Sequence, residues 1–128
     1  MIQAPLILFD LDGTLVESAP DLVDTLNAML ALEGAAPLPE SQVRSLLGAG
    51  ARALLERGLG AAGRTVSAER MNELFALFID RYGAHIADRS HVFPGVVDAL
   101  DRLDAAGFRL AVATNKLEGL SVALLTQL

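Results

Sequence analysis

Asp10 and Asp12 stand two positions apart, with Leu11 between them and Gly13-Thr14 following. In extended backbone alternate side chains point the same way, so this spacing sets two carboxylates on one side of the chain. Their charges repel, and a cation between them relieves the repulsion. A hard divalent ion such as Mg2+ suits the task because it prefers oxygen ligands. A second polar cluster, Thr114-Asn115-Lys116, closes the strand candidate Phe108 to Ala113, which is apolar apart from Arg109. Asp12-Gly13 also has a local reading. Asp-Gly between apolar runs is a strong hairpin signal, which would make Thr14-Leu15-Val16 a return strand and put Asp10 in a ladder. Against the hairpin, that return strand is very short and runs directly into a capped helix.

The elements that would position these residues can be read from apolar spacing. Leu6 to Phe9 is an unbroken apolar run, suited to a strand buried on both faces as in a parallel sheet. Ser18 is placed to cap a helix, with Pro20 and Asp21 in its first turn and Leu22, Leu26, Met29 and Leu30 along one face. Gly34 to Pro39 reads as a loop, and Glu40 to Leu47 as a short helix closed by Gly48. After the Gly48-Ala49-Gly50 turn, Ala51 to Arg57 is a further helix. Met71, Leu74, Phe75, Phe78, Ile79 and Tyr82 then hold one face behind a Ser67 cap. The stretch from Glu17 to Asp88 is thus expected to be helical, without strands. Val96, Val97, Leu100 and Leu103 predict a helix ended by Gly107, Phe108 to Ala113 a second strand, and Leu117 onward a last helix.

Strand, helical block, helix, strand, helix is the order of an α/β protein: a partial, doubly wound parallel (Rossmann-like) core interrupted by a helical insert. The two strands would be parallel, joined by a right-handed crossover. Both end in polar residues at their carboxyl ends, where open α/β sheets place ligands beside helix N-termini. Two strands fall short of the usual sheet, so the core would be incomplete or completed by partners.

Composition narrows the function. The chain has 128 residues, a net charge of −6, 52% hydrophobic residues and no cysteine. That length supports one ordinary domain with a core, and the apolar fraction excludes a disordered tail. Without cysteine there is no disulfide scaffold, zinc finger or thiol nucleophile. The acid excess argues against non-specific nucleic-acid binding. No apolar run is long enough for a membrane span or a signal h-region, so a soluble cytoplasmic protein is expected.

The segment Phe9-Asp10-Leu11-Asp12-Gly13-Thr14-Leu15-Val16-Glu17-Ser18 resembles the first signature of the haloacid dehalogenase superfamily, and Ala113-Thr114-Asn115-Lys116 resembles its second. The helical block falls where that superfamily inserts a small helical cap. With the Gly48-Ala49-Gly50-Ala51 turn and Phe93-Pro94-Gly95, the pattern is most similar to the superfamily's phosphoglycolate phosphatase branch.

The resemblance implies residues 1–16 and 89–128 as an incomplete α/β hydrolase core and 17–88 as the cap. It implies a Mg2+-dependent phosphatase acting on a small anionic phosphate ester. Asp10 would be the nucleophile, forming an aspartyl-phosphate, and Asp12 the general acid/base. Mg2+ would bind the Asp10 carboxylate and the Asp12 backbone carbonyl. Thr114 would hydrogen-bond a phosphate oxygen, with Asn115 and Lys116 beside it, and Arg52 would read substrate from the cap turn. Asp12 also favours a phosphatase over a dehalogenase: a departing halide needs no proton, an ester oxygen does.

Plainer readings stand beside these. Thr114 is also an ordinary helix cap, Lys116 a solvated lysine and Arg52 an exposed helix arginine. His85 and His91 lack metal-ligand partners at helical spacing and are taken as structural. Complete members of the superfamily continue with a third motif supplying a lysine and a fourth supplying acids, and nothing after Lys116 resembles either. The chain alone is therefore expected to be marginal, a homo-oligomer, or a piece of a longer protein whose C-terminal portion covers the sheet edge. The alternatives are a non-catalytic fragment that binds a partner or phosphate, and a relative acting on pyrophosphate or a sugar phosphate.

Overall fold

A computed structural model of the chain describes residues 5–112 and 118–128. Strands β1 (Leu6–Phe9) and β4 (Arg109–Val112) pair in parallel, Leu6 opposite Arg109 and Phe9 opposite Val112. Helix α5 (Val96–Ala105) precedes β4 and packs on it. The α/β character and the parallel pair expected from the sequence are both present.

Between the strands lie four helices: α1 (Ala19–Leu32), α2 (Glu40–Arg44), α3 (Ala51–Ala61) and α4 (Ala68–Ala84). α1 packs against the other three, and α3 against α4. Their facing residues form most of the core, with Leu26, Leu30, Leu55, Leu74 and Phe78 fully buried. The α4 stripe is as its spacing predicts, and the Ser67 side chain caps it by accepting from the Arg70 N–H at 3.1 Å. α3 runs beyond the predicted Arg57 to Ala61, and α2 stops at Arg44, short of Leu47. The last helix, α6 (Glu118–Gln127), adds Leu120 and Leu124 to the same core.

The stretch expected to be helical without strands carries a short ribbon at its ends. β2 (Val16–Glu17) pairs antiparallel with β3 (His91–Val92). These strands are two residues each, too short to show alternation, so no apolar period announces them. The ribbon joins the chain where it enters the helical block to the chain where it leaves. Asp12-Gly13 is not a hairpin back onto β1. The Leu11 carbonyl accepts the Leu15 and Val16 N–H groups, both at 3.1 Å, which winds residues 11–15 into a compact turn.

Burial on β1 also departs from expectation. Leu6 and Leu8 are 51% and 62% exposed, and Val112 on β4 is 42% exposed. Among the described residues no helix covers the face that Leu6 and Leu8 share, and α5 has no buried residue. The tightly packed part of the chain is the helical block, not the sheet.

Candidate active site

Asp10 directly follows β1, and its Oδ1 accepts the Leu11 N–H at 2.9 Å. Leu11 is fully buried and anchors the turn that carries Asp12 and Gly13. Gly13 has φ 79°, a conformation that side chains with a Cβ avoid, and its N–H donates to the Val16 carbonyl at 2.8 Å. This winding, rather than strand pleating, brings the two carboxylates to one wall. Asp12 Oδ1 accepts a hydrogen bond from the Ser18 hydroxyl. Ser18 occupies the N-cap position of α1 as its type predicts, yet its side chain makes no cap hydrogen bond, because the hydroxyl is committed to Asp12.

Asp10 and Asp12 line a cavity of about 360 Å3, at the lower end of the size range for small-molecule sites. The opposite wall comes from the helical block: Arg44, Leu47, Gly48, Gly50, Ala51, Leu54 and Tyr82. Glu17 of the ribbon, Gly13 of the turn, Ser18, Ala19 and Leu22 at the start of α1, Phe93 and Leu120 also line it. The Gly48-to-Gly50 turn reaches the cavity because both glycines take positive φ, 112° and 91°, and the chain then enters α3 at Ala51. Tyr82 is 1% exposed, and burial pushes its phenol well above the ordinary tyrosine range, reinforced by the negative charges of Asp12 and Asp21. It therefore stays neutral and adds no charge to an already acidic wall.

Arg52 does not line this cavity. Its guanidinium donates to Asn72 Oδ1 at 3.0 Å and to Glu56 Oε1 at 3.3 Å, and sits 5.5 Å from the centre of the Phe75 ring. Among the described residues, Arg44, eight positions earlier and on α2, is the cationic one that lines the cavity. Nothing in the sequence distinguished it, since a helix arginine near a turn is usually just solvated. Both Glu17 and Ser18 fall inside the first motif, where Glu17 has no assigned role and Ser18 only that of a helix cap. Thr114, Asn115 and Lys116 lie outside the described residues. His85 bonds Asp88 through Nδ1 at 2.7 Å, and the His91 ring lies edge-on to Phe93.

Among the described residues no three His, Asp or Glu side chains converge on one point. The donors that Asp10 and Asp12 offer are oxygens only. A Mg2+ ion is commonly held by one or two carboxylates, with water and substrate phosphate filling its remaining positions. This pair fits that requirement. No helix among the described residues is long and apolar enough to cross a membrane.

The chain resembles known proteins in sequence and in fold. The chain is 58% identical over 119 residues to a phosphoglycolate phosphatase of Caulobacter vibrioides, covering 93% of this chain and 50% of that protein. A crystal structure of a predicted phosphoglycolate phosphatase from Haemophilus somnus 129PT superposes with a TM-score of 0.84 at 34% identity, over 92% of this chain and 54% of that one. CbbY from Rhodobacter sphaeroides, crystallised in complex with phosphate, gives a TM-score of 0.75 at 26% identity, over 95% and 56%. The chain spans about half the length of the curated relatives it matches. With residues 4–128 matching the family as a whole, this chain belongs to the haloacid dehalogenase-like hydrolases.

Proposed function

We propose that these residues form the nucleophile-bearing part of a Mg2+-dependent phosphatase whose substrate is a small phosphate monoester, 2-phosphoglycolate. The observation that carries this reading is the placement of Asp10 and Asp12 on one wall of a cavity roofed by the helical block. The names of the similar proteins support the substrate.

In this mechanism an Asp10 carboxylate oxygen attacks phosphorus, and the bond to the ester oxygen breaks. Asp12, held by Ser18, gives the departing oxygen its proton, leaving an aspartyl-phosphate on Asp10. Asp12 then takes a proton from water as that water attacks phosphorus, releasing phosphate and restoring the Asp10 carboxylate. Asp10 and the Asp12 backbone carbonyl would hold a Mg2+ ion, which would offset the charge of phosphate against carboxylate. The resemblance of Ala113-Thr114-Asn115-Lys116 to the superfamily's second signature assigns phosphate binding to Thr114, Asn115 and Lys116. Residues 17–88 act as a cap that excludes water over residues 1–16 and 89–128, and the β2–β3 ribbon is its neck.

The test is phosphate release from 2-phosphoglycolate with and without Mg2+. It is run on this chain alone and on this chain fused to the C-terminal half of the Caulobacter vibrioides relative. Turnover of the fusion that needs Mg2+ and vanishes in Asp10→Asn supports the reading. Turnover that survives Asp10→Asn contradicts it. Tight phosphate binding by a folded fusion without turnover would favour a non-catalytic phosphate-binding role.

A further inference from the structure

Of the described residues that line the cavity, Arg44 alone is cationic, whereas Asp10, Asp12 and Glu17 are all acidic. Arg44 Nη1 lies 3.3 Å from both carboxylate oxygens of Glu17. The pair links α2 of the helical block to β2 of the ribbon, and both residues line the cavity. A second carboxylate, Glu40, approaches Arg44 Nε at 3.9 Å along the helix. The Arg44 side chain is 42% exposed and that of Glu17 18%, so the pair is open to water at its cationic end and is weakened by screening there. Exchanging one carboxylate partner for another therefore costs little.

A guanidinium offers parallel N–H groups that match a carboxylate in geometry as well as charge. An anionic ester entering this cavity meets repulsion from three acidic side chains, and Arg44 is the group available to its far end. We propose that Arg44 is the specificity-determining residue for a carboxylate on the substrate, and that Glu17 is its internal stand-in, holding the guanidinium until the substrate carboxylate takes over. The substrate class is thereby narrowed to short phosphorylated hydroxy acids. This inference rests on the phosphatase reading and deepens it.

Binding to the 128-residue chain tests it without requiring turnover. Calorimetric or NMR titrations with Mg2+ present would compare 2-phosphoglycolate with 2-hydroxyethyl phosphate, which keeps the phosphate and lacks the carboxylate. Wild type should favour 2-phosphoglycolate by about 3- to 5-fold, the value of a pair whose guanidinium is partly exposed. Arg44→Ala should erase that preference by weakening 2-phosphoglycolate alone, and Arg44→Lys should restore part of it. Glu17→Gln, which keeps an acceptor for the Ala19 N–H, should tighten 2-phosphoglycolate by freeing the guanidinium. Arg102→Ala, on exposed α5, is the control and should leave the preference intact.

If Arg44→Ala weakens both esters equally, or leaves the preference unchanged, the role given to Arg44 is wrong while the phosphatase reading stands. If neither the chain nor its fusion to the C-terminal half, carrying Asp10→Asn to stop turnover, binds either ester, the phosphatase reading fails and this inference goes with it.

Discussion

The carboxylate of Asp21 accepts a 2.6 Å hydrogen bond from the hydroxyl of Ser90, a residue 69 positions further along the chain. Both are buried, at 2% and 8% exposure. The same carboxylate takes the Arg89 N–H at 3.0 Å on each oxygen, and the Arg89 guanidinium pairs with Asp24 at 2.9 Å. The first turn of α1 is thus tied to the segment that leads into β3. This tie closes the helical block at its neck, beside the ribbon that joins it to the strands.

Asp21→Ala should therefore destabilise the chain well beyond the loss of a surface carboxylate. It leaves a buried hydroxyl and a backbone N–H without their acceptor, a cost of about 3 kcal/mol. Chemical denaturation should show the midpoint falling. Asp24→Ala, which removes only the exposed pair, should cost under about 1 kcal/mol. Equal losses from both substitutions would mean that the buried tie contributes nothing special.

Two glycines in α3 should respond to alanine with opposite signs. A Cβ on Gly58 would come within 2.6 and 2.8 Å of the Leu26 methyl groups, and Leu26 is fully buried. Overpacking there should cost about 1–3 kcal/mol, outweighing the gain in helix propensity of about 1 kcal/mol. A Cβ on Gly60 meets nothing within 4 Å, so Gly60→Ala should stabilise by about 0.5–1 kcal/mol. Thermal melts of the two variants decide it.

Tyr82 is the chain's only tyrosine, so tyrosinate absorbance reports this residue alone. Burial raises its pKa in the folded state, whereas the unfolded chain should titrate near the ordinary value of about 10. Below that value both states are protonated and the group makes no difference to stability. Above it only the unfolded state loses the proton, so stability should fall by about 1.4 kcal/mol per pH unit until the folded-state pKa is reached. Urea midpoints measured from pH 8 upward should show this fall above about pH 10, and Tyr82→Phe should remove that part. A native titration near the ordinary value would contradict the burial account.

What was legible in the sequence followed physical periodicity. The α4 stripe has a spacing that only a helix explains, and the short, largely apolar segments of β1 and β4, closed by polar residues, suit strands; these came through. The Asp10–Asp12 pair was recognised by residue type and spacing, although its shared wall comes from a wound turn. The ribbon of Val16–Glu17 with His91–Val92 was not legible, because two residues carry no period and the pairing joins distant segments. Nor was Arg44. Its distinction lies in where α2 packs, and the more conspicuous Arg52 is engaged with Asn72, Glu56 and Phe75 instead. Ser18 illustrates a related limit, since its type predicts a helix cap and tertiary structure gives its hydroxyl to Asp12.

The central claim is that Asp10 takes the phosphoryl group. The direct measurement is an acid quench of the fusion protein during turnover of 2-phosphoglycolate with Mg2+, followed by peptide mass mapping. The account predicts one added phosphoryl mass on the peptide containing Asp10, absent without Mg2+ and absent in Asp10→Asn. Steady turnover with no modified peptide, or a phosphoryl group carried on any other residue, would contradict it.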